Sequence, residues 1–339
     1  MSRPAILAVD GGGSKIDAAL LARSGRLLGA SRTYTPTYDG TDAVSSLDGI
    51  GNAIKAACAD AGVDPDALPV AEIGAFCLAG ADLPQDDRRI ATALRKRGWA
   101  EADIVRNDTF AVMRAGTERN WGVAVVCGYG TNCSGVAPDG RTYRFPAVGV
   151  ISGDWGGGSD VGEAALWYAL RAQDGRGAKT KLAALVPAHF GMRRPRQVME
   201  AIYFGRLDEY RVTELAPIVF RAAAEGDPVA GSIVDRQADE VVLMAGTAIR
   251  KLRMTELDVD VVLGGGIFRN EYEAFFDRIR EGLREVAPRA RVHVLTTPPV
   301  VGAALLALDR LGGGADATRR VRAALTHDRL SAETVSRKG

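Results

Sequence analysis

The sequence predicts an α/β fold in two domains, and three observations support it. Strand-like apolar runs alternate with segments of helical periodicity, as in a mixed or parallel sheet. A strand, a glycine-rich turn and a second strand occur twice, at residues 6–21 and 122–137, as an internal duplication would produce. The 339 residues, 47% of them hydrophobic, suffice for two domains of about 150 residues. We expect domains at 1–117 and 118–311, with the tail 312–339 joined to the first.

The first domain opens on Ile-Leu-Ala-Val-Asp-Gly-Gly-Gly-Ser-Lys, residues 6–15. Four apolar residues predict a buried strand that ends at Asp10, where three glycines let the backbone close on an anion. This is the chemistry of a nucleotide site. Because the Asp precedes consecutive glycines, the segment fits neither the dinucleotide fingerprint nor the P-loop. The strand-like run at 16–21 predicts a β-hairpin around the glycines.

The remaining elements follow from periodicity, caps and breakers. In the first domain we expect strands at 28–33, 73–78 and 104–106 and helices at 43–61, 86–97 and 109–115. The second domain is mainly helical after its opening hairpin. It includes a helix at 227–252 capped by Asp227, with Pro228 at its first position. A strand at 259–263, a capping-box helix start at 270–273, a linker at 312–314 and one charged C-terminal helix complete the prediction.

Composition excludes several classes of function. Lys and Arg total 43 against 42 Asp and Glu, so no basic field for nucleic acid or an anionic membrane is expected. Without a signal-like start or a run of about eighteen apolar residues, we expect a cytoplasmic protein. The four cysteines form no C-x-x-C pair and are expected to be reduced and buried. The three scattered histidines indicate neither a zinc-protease site nor a catalytic triad, so carboxylates should lead any catalysis.

Three glycine-rich segments resemble the phosphate 1, phosphate 2 and adenosine motifs of the actin-like ATPase superfamily, which includes sugar kinases, actin and Hsp70. They lie at residues 10–15, 128–132 and 264–266. Further segments resemble the N-acetylglucosamine kinase branch, which is grouped with the BadF/BadG/BcrA/BcrD ATPases. These are Asn107-Asp108, Gly153-Asp154 with the glycines at 156–158, the loop at 174–177 and Pro-Val-Val-Gly-Ala at 299–303.

The resemblance implies two ribonuclease H-like (actin-like ATPase) domains with a cleft between them. It also implies ATP and Mg²⁺ as cofactors, a sugar as the small-molecule partner, and a homodimer. The expected reaction is phosphorylation of an amino sugar, N-acetylglucosamine to N-acetylglucosamine 6-phosphate. Glucosamine, N-acetylmuramic acid and another hexose remain as alternative acceptors.

Each candidate residue has a chemical role and a structural alternative. Asp10 could hold Mg²⁺ directly or through water, or cap a turn. Asp108 is the candidate general base, because a carboxylate beside the acceptor hydroxyl can take its proton, or it caps the following helix. The expected ATP and phosphate contacts are Gly11, Gly12, Gly13, Ser14, Gly128, Gly130, Thr131, Gly264, Gly265 and Gly266. The expected sugar contacts are Asn107, Asp108, Asn132 and Asp154, with Asn107 equally able to finish its strand.

Several residues are left open. Lys15 could approach the phosphates or remain an exposed lysine. Trp155, Trp167 and Tyr168 could form a sugar platform, although the helical run around Trp167 and Tyr168 favours a core position.

Two departures from the family pattern affect the expected site. Tyr129 stands where the family usually has Thr, which removes a small hydroxyl beside the phosphates. Family kinases tend to carry a sugar-binding Asn in the segment that here reads Tyr-Thr-Pro-Thr-Tyr-Asp-Gly at 34–40. Thr37 and Asp39 are the candidate replacements.

Two rival functions stand beside the sugar kinase. One is an activator ATPase for 2-hydroxyacyl-CoA dehydratases, which needs cysteines placed for an iron–sulfur cluster. Here Cys127 and Cys133 flank the second hairpin, where small packing residues are expected. The other is a non-catalytic nucleotide-binding regulator, which the retention of Asp10, Asp108 and Asp154 disfavours.

Overall fold

The computed structural model describes residues 3–34 and 47–336, with side chains described as far as residue 331. Thr37 and Asp39 therefore lie outside the described residues. The chain divides into two compact units, which we describe separately. The described residues of the first are 3–34, 47–124, 138–140 and 295–336, and those of the second are 125–137 and 141–294. The predicted α/β class is confirmed, since the described residues form two five-stranded sheets surrounded by helices.

The first sheet contains the predicted glycine hairpin. Its strands are β1 (Ile6–Gly11), β2 (Lys15–Leu21), β3 (Leu27–Tyr34), β4 (Ala71–Leu78) and β5 (Ala100–Asn107), in the order β3-β2-β1-β4-β5. Strands β1, β2 and β3 pair antiparallel, whereas β1, β4 and β5 run parallel. The carboxyl ends of β1, β4 and β5 therefore share one edge of the sheet.

Helices cover both faces of this sheet. They are α1 (Leu47–Ala61), α2 (Pro84–Arg97), α3 (Asp108–Gly116), α10 (Val300–Arg310), α11 (Ala315–Ala324) and α12 (His327–Ser336). Because strand side chains alternate between faces, Leu7 and Val9 pack into the core under α1 and α2. Ile6 and Ala8 pack into the core formed with α3, α10 and α11.

The C-terminal segment forms two helices where the sequence predicted one. The break falls at Leu325, which is buried in the first unit's core together with Val321 and Leu330. Arg322 of α11 donates to the carbonyl oxygens at the end of α3, and Arg329 pairs with Asp60 of α1. The last helices thus belong to the first unit.

The second sheet has the order β10-β9-β6-β7-β8. Its strands are β6 (Gly122–Cys127), β7 (Thr131–Val136), β8 (Thr142–Arg144), β9 (Asp260–Gly264) and β10 (Arg291–Val294). The helices of this unit are α4 (Gly157–Asp174), α5 (Leu182–His189), α6 (Pro195–Tyr203), α7 (Ala216–Ala224), α8 (Pro228–Lys251) and α9 (Glu273–Val286), with short 3₁₀ turns at Val150–Ser152, Glu209–Leu215 and Gly266–Arg269.

Helix ends follow the predicted chemistry at α8 but not at α9. Asp227 accepts hydrogen bonds from the backbone N–H groups of Val229 and Ala230, as an N-cap does. The predicted capping box at 270–273 is wrong. Asn270 instead accepts from the N–H of Tyr272, and this turn delays the start of α9 to Glu273.

Candidate active site

In the first unit, Asp10 and Asp108 lie at the shared carboxyl edge of the parallel strands. The cross-strand register aligns Gly11 of β1 with Leu78 of β4, and Leu78 with Asn107 of β5. Asp10 precedes this row by one residue and Asp108 follows it by one. Carboxyl edges of parallel strands are where α/β folds bind ligands.

Asp10 is buried beside a second carboxylate. Only 6% of the residue is exposed, and Asp17 is its direct partner across the β1–β2 pair. Burial, followed by the charges of Asp17 and Asp108, raises the pKa of Asp10 well above its usual range, while Lys15 and Arg32 oppose the shift. Carboxylate oxygens are among the ligands that Mg²⁺ prefers in proteins.

Arg32 and Lys15 bracket Asp17. Nε and Nη2 of Arg32 donate to the two carboxylate oxygens of Asp17 over 2.6 and 2.7 Å. Nζ of Lys15 lies 3.6 Å from Oδ2 of Asp17. Sequence reasoning missed this cluster, although an Asp within the apolar run at 16–21 was a signal that a buried charge needed a partner.

At the start of the first hairpin loop, a side chain larger than that of glycine would require Leu78 to shift. A Cβ at Gly11 would lie 2.7 Å from Cδ2 of Leu78. The N–H of Gly12 donates to the carbonyl oxygen of Lys15 over 3.0 Å and closes the hairpin. Gly13 is half-buried and Ser14 exposed, so this end of the loop faces outward.

Asn107, rather than Asp108, caps helix α3. Its Oδ1 accepts from the backbone N–H of Thr109 over 3.0 Å and from the Thr109 hydroxyl over 2.6 Å. Its Nδ2 donates to Oδ1 of Asp82 over 2.8 Å, and the residue is 1% exposed. The amide of Asn107 is therefore engaged within the protein.

Asp108 is half-buried in the first turn of α3. Burial raises the pKa of Asp108 to about 6, although hydrogen bonds with the backbone of Thr109 and of Asp108 itself act to lower it. A carboxyl group with this pKa is ionised at neutral pH, yet is more basic than an ordinary aspartate. It therefore has the protonation behaviour of a general base.

In the second unit, the hairpin between β6 and β7 presents glycines that the protein itself does not require for space. A Cβ at Gly128 or Gly130 would meet nothing within 4 Å. Thr131 is 7% exposed, with its hydroxyl 3.3 Å from Sγ of Cys127. Oδ1 of Asn132 accepts from the N–H of Cys133 over 2.7 Å. Open space above the glycines is compatible with approach of a phosphate group.

The Tyr129 ring stacks on Tyr210. The ring centroids are 5.2 Å apart, the planes differ by 2°, and Tyr129 is 56% exposed. Tyr129, which departs from the family pattern, therefore packs against a residue of its own unit.

Asp154 lies on the loop before α4 and is half-buried. The hydroxyl of Ser152 donates to its Oδ2. The adjacent Trp155 has the guanidinium of Arg236 4.0 Å from its ring centre. A residue of its own loop therefore holds the Asp154 carboxylate, and the Trp155 side chain follows it directly in the sequence.

The glycines at 264–266 lie at the end of β9, and Gly265 contacts Cys127 at the base of the second hairpin. Gly265 has a φ of +102°, and a Cβ there would lie 2.3 Å from the carbonyl oxygen of Cys127. A Cβ at Gly266 would meet nothing within 4 Å. The adenosine motif therefore contacts the residue that directly precedes the predicted phosphate 2 motif.

Trp167 and Tyr168 lie together on α4, with ring centroids 4.6 Å apart. The core position predicted for Trp167 is wrong, because this residue is 50% exposed and the guanidinium of Arg171 covers its ring. No contact between this pair and Trp155 is among the described aromatic contacts.

All four cysteines are buried free thiols, as predicted. Burial raises the pKa of Cys58 to about 11 and that of Cys127 to about 12. Within the described residues, no group of three or more His, Cys, Asp or Glu side chains is arranged to hold a metal ion. These thiols fit the interpretation of the cysteines as packing residues.

Among the described residues, no helix is long and apolar enough to span a membrane.

Comparison with known proteins gives consistent similarities. The chain is 29% identical over 238 residues to the N-acetylmuramic acid/N-acetylglucosamine kinase of Clostridium acetobutylicum, covering 70% of this chain and 78% of that protein. It is 25% identical over 319 residues to the N-acetyl-D-glucosamine kinase of Dictyostelium discoideum, covering 91% and 99%.

The fold matches a solved structure of a proposed N-acetylglucosamine kinase from Chromobacterium violaceum. The TM-score is 0.70 at 22% identity, covering 91% of this chain and all of that one. The predicted actin-like ATPase fold is confirmed by this likeness. The family model of the BadF/BadG/BcrA/BcrD ATPases matches residues 7–307. The predicted relationship is therefore confirmed, and the chain belongs to the BadF/BadG/BcrA/BcrD ATPase family.

Proposed function

We propose that this protein transfers the γ-phosphate of ATP to a hydroxyl group of an amino sugar, with N-acetylglucosamine as the acceptor and O6 as the site. The class of sugar kinase follows from its relatives, two of which carry N-acetylglucosamine in their names. The choice of sugar and of hydroxyl is the finer part of the proposal.

The proposed mechanism rests on the position and the pKa of the Asp108 carboxyl group. Because Asn107 caps α3, the Asp108 carboxylate is not needed for that role, and its pKa of about 6 makes it a base at neutral pH. In the proposed step, Asp108 takes the proton of the sugar hydroxyl while the oxygen bonds to the γ-phosphorus. The bond from that phosphorus to the bridging oxygen breaks, and ADP leaves.

The glycine-rich turns supply the proposed nucleotide contacts. Backbone N–H groups of residues 11–14, 128, 130 and 131 would bind phosphate oxygens, and Gly264–Gly266 would let adenosine approach the end of β9. Asp10 would hold Mg²⁺, directly or through water, since its carboxylate supplies oxygen ligands at the edge of the first sheet beside the phosphate hairpin. Mg²⁺ would neutralise charge on the transferred phosphate.

For the sugar, we propose that Asp154 and Asn132 bind hydroxyl groups. The carboxylate of Asp154 accepts hydrogen bonds more strongly than a neutral group would. Asn107, whose amide is engaged with Thr109 and Asp82, would contribute by holding the start of α3. A cytoplasmic location and a homodimer complete the proposal, and analytical ultracentrifugation tests the dimer.

The acceptor is tested by ADP release from Mg-ATP with N-acetylglucosamine, glucosamine, N-acetylmannosamine, N-acetylmuramic acid, glucose and no sugar. We expect N-acetylglucosamine to give the largest kcat/KM. N-acetylmuramic acid is the first alternative, because a relative is named for both sugars. Stimulation by another sugar alone would replace the proposed acceptor. Equal release in all reactions would remove the kinase proposal in favour of an ATPase.

A further inference from the structure

The first turn of α4 gives its backbone N–H groups to the protein rather than to an anion. The first four such groups of a helix lack partners within the helix. Here the N–H of Gly156 donates to Oδ2 of Asp160 over 2.7 Å, and that of Gly157 to Oε1 of Gln237 over 2.8 Å. The next two, from Gly158 and Ser159, donate to the second hairpin.

These bonds fasten α4 to the hairpin. The N–H of Gly158 donates to the carbonyl oxygen of Gly128 over 2.8 Å, and that of Ser159 to the carbonyl oxygen of Tyr129 over 2.9 Å. The Ser159 hydroxyl donates to the same Tyr129 oxygen over 2.9 Å. We call the contact between residues 156–159 and 128–130 the hairpin clasp.

The clasp explains why glycine is needed at its centre. Gly157 has a φ of +82°, and a Cβ there would lie 2.3 Å from the carbonyl oxygen of Gly130. Backbone therefore packs directly on backbone, and a displacement on one side of the clasp moves the other. Asp154 lies two residues before the clasp, so the proposed sugar carboxylate and the proposed phosphate hairpin share one support.

Gln237 of α8 ties the clasp to the body of the unit. Its side chain is fully buried. Oε1 accepts from Gly157, while Nε2 donates to Sγ of Cys127 over 3.6 Å, at the residue where β6 enters the hairpin. A Cβ at Gly156 would lie 2.9 Å from both Nε2 and Oε1 of this amide. One side chain thus contacts the start of α4 and the base of the hairpin.

We propose that Gln237 is a positioning residue that fixes the hairpin and the Asp154 loop in one arrangement, so that it controls the binding of ATP and of sugar together. The role rests on the proposed function, because it assigns those ligands to the two segments. Gln237 acts through the clasp and contacts no reacting atom in this account.

The test substitutes Gln237→Met, which keeps the length of the side chain but removes both hydrogen bonds. We expect KM for ATP and KM for the sugar to rise together by about tenfold, since the Gly157 N–H loses its buried partner. We expect kcat to stay within about threefold of the wild-type value, because Asp108 is untouched. The control is Ile249→Val on the same helix, which removes one buried methylene distant in sequence from the clasp.

A second readout does not depend on catalysis. Hydrogen exchange measured without ligands should accelerate in peptides covering 127–131 and 154–159 of the Gln237→Met protein, and not in the Ile249→Val protein. If the methionine variant does not fold, Ser159→Ala removes one bond of the clasp and should accelerate exchange around Tyr129.

Unchanged KM values, with a loss of Tm like that of the control, would overturn the proposal. If the wild-type protein transfers no phosphate to any sugar, the proposed function fails and exchange alone tests the clasp. Exchange that is unaltered at both segments would then show that Gln237 does not hold them.

Discussion

Asp108 lies where strand β5 gives way to helix α3, and the neighbouring asparagine decides what this carboxylate can do. A helix start usually draws on an Asp, Asn or Ser side chain for its unpaired N–H groups. Because the Asn107 side chain accepts hydrogen bonds from Thr109, it caps the helix in place of Asp108. The Asp108 carboxylate can therefore be buried and still be available to accept a proton. Its elevated pKa follows from that burial.

Replacement of Asp108 tests its role as a base. We expect Asp108→Asn to lower kcat by about 10²- to 10⁴-fold with nearly unchanged ATP affinity, because the amide keeps the volume but accepts no proton. Asp103→Asn on the preceding strand β5 is the matched control and should leave kcat unchanged. Steady-state kinetics together with titration of a fluorescent ATP analogue check both values. Full activity of Asp108→Asn would remove the base assignment.

The pH dependence follows from the same carboxyl group. The base acts when ionised, so kcat/KM for the sugar should be level above about pH 7 and fall with unit slope as pH drops through about 6. An ordinary aspartate would keep the enzyme active down to about pH 4. Initial rates between pH 5 and 8, with enzyme stability checked at each pH, decide between these profiles.

At the scale of elements, an ion pair joins helix α3 to helix α10. Nε and Nη2 of Arg114 donate to the two carboxylate oxygens of Asp309 over 2.7 and 3.1 Å, and the Arg114 side chain is 5% exposed. Arg322 donates to carbonyl oxygens at the same end of α3. The helix that begins at Asp108 is therefore anchored at its other end.

Removal of one partner of this pair should weaken the first unit. We expect Asp309→Ala to lower the free energy of unfolding by about 2 to 3 kcal/mol, because it leaves the Arg114 guanidinium buried without its carboxylate. Because Asp309 is partly exposed, the expected loss in free energy of unfolding is smaller than for a fully buried ion pair. Asp316→Ala, which breaks the exposed pair with Arg319, should cost less than about 1 kcal/mol. Denaturant unfolding compares the two, and equal losses would contradict the account.

Across the whole molecule, early and late segments of the chain share one core in the first unit. The core that contains Ile6 and Ala8 of β1 also contains Val321, Leu325 and Leu330 of the last helices. A segment that reads from sequence as a charged tail after a glycine linker thus closes a hydrophobic core.

Truncation after residue 311 should therefore destabilise the first unit. The three large apolar side chains lost contribute about 1.5 to 3 kcal/mol each, which corresponds to a fall in Tm of about 10 °C or more. Differential scanning calorimetry on the full and truncated chains checks this. The single substitution Arg319→Ala, at an exposed position of α11, serves as the control. An unchanged melting profile after truncation would contradict the role assigned to the tail.

Local signals were enough to predict much of this fold. The apolar run ending in Asp10 and its glycines predicted the first hairpin, and Asp227-Pro228 predicted the start of α8. The start of α9 was misread because the Asn270 side chain can satisfy either a turn or a helix, and the turn is formed. Trp167 was misplaced because helical periodicity does not distinguish an exposed aromatic face from a buried one.

The candidate site also contains features that the sequence predicted and features that it did not. Residues within one glycine-rich motif were found from sequence, whereas contacts between distant segments were not. Arg32 reaches Asp17 only through the register of β2 and β3, and Gln237 reaches Gly157 across 80 residues of chain. Such partners are set by tertiary packing, which a single sequence does not display.

In the proposed reaction the γ-phosphate of ATP reaches a sugar rather than water. The most direct measurement is ³¹P NMR of one reaction containing the protein, Mg-ATP and N-acetylglucosamine, in which ADP, sugar phosphate and inorganic phosphate are quantified together. We expect one N-acetylglucosamine 6-phosphate for each ADP formed, with little inorganic phosphate. Inorganic phosphate equal to ADP, with no sugar phosphate from this or any other amino sugar, would contradict it.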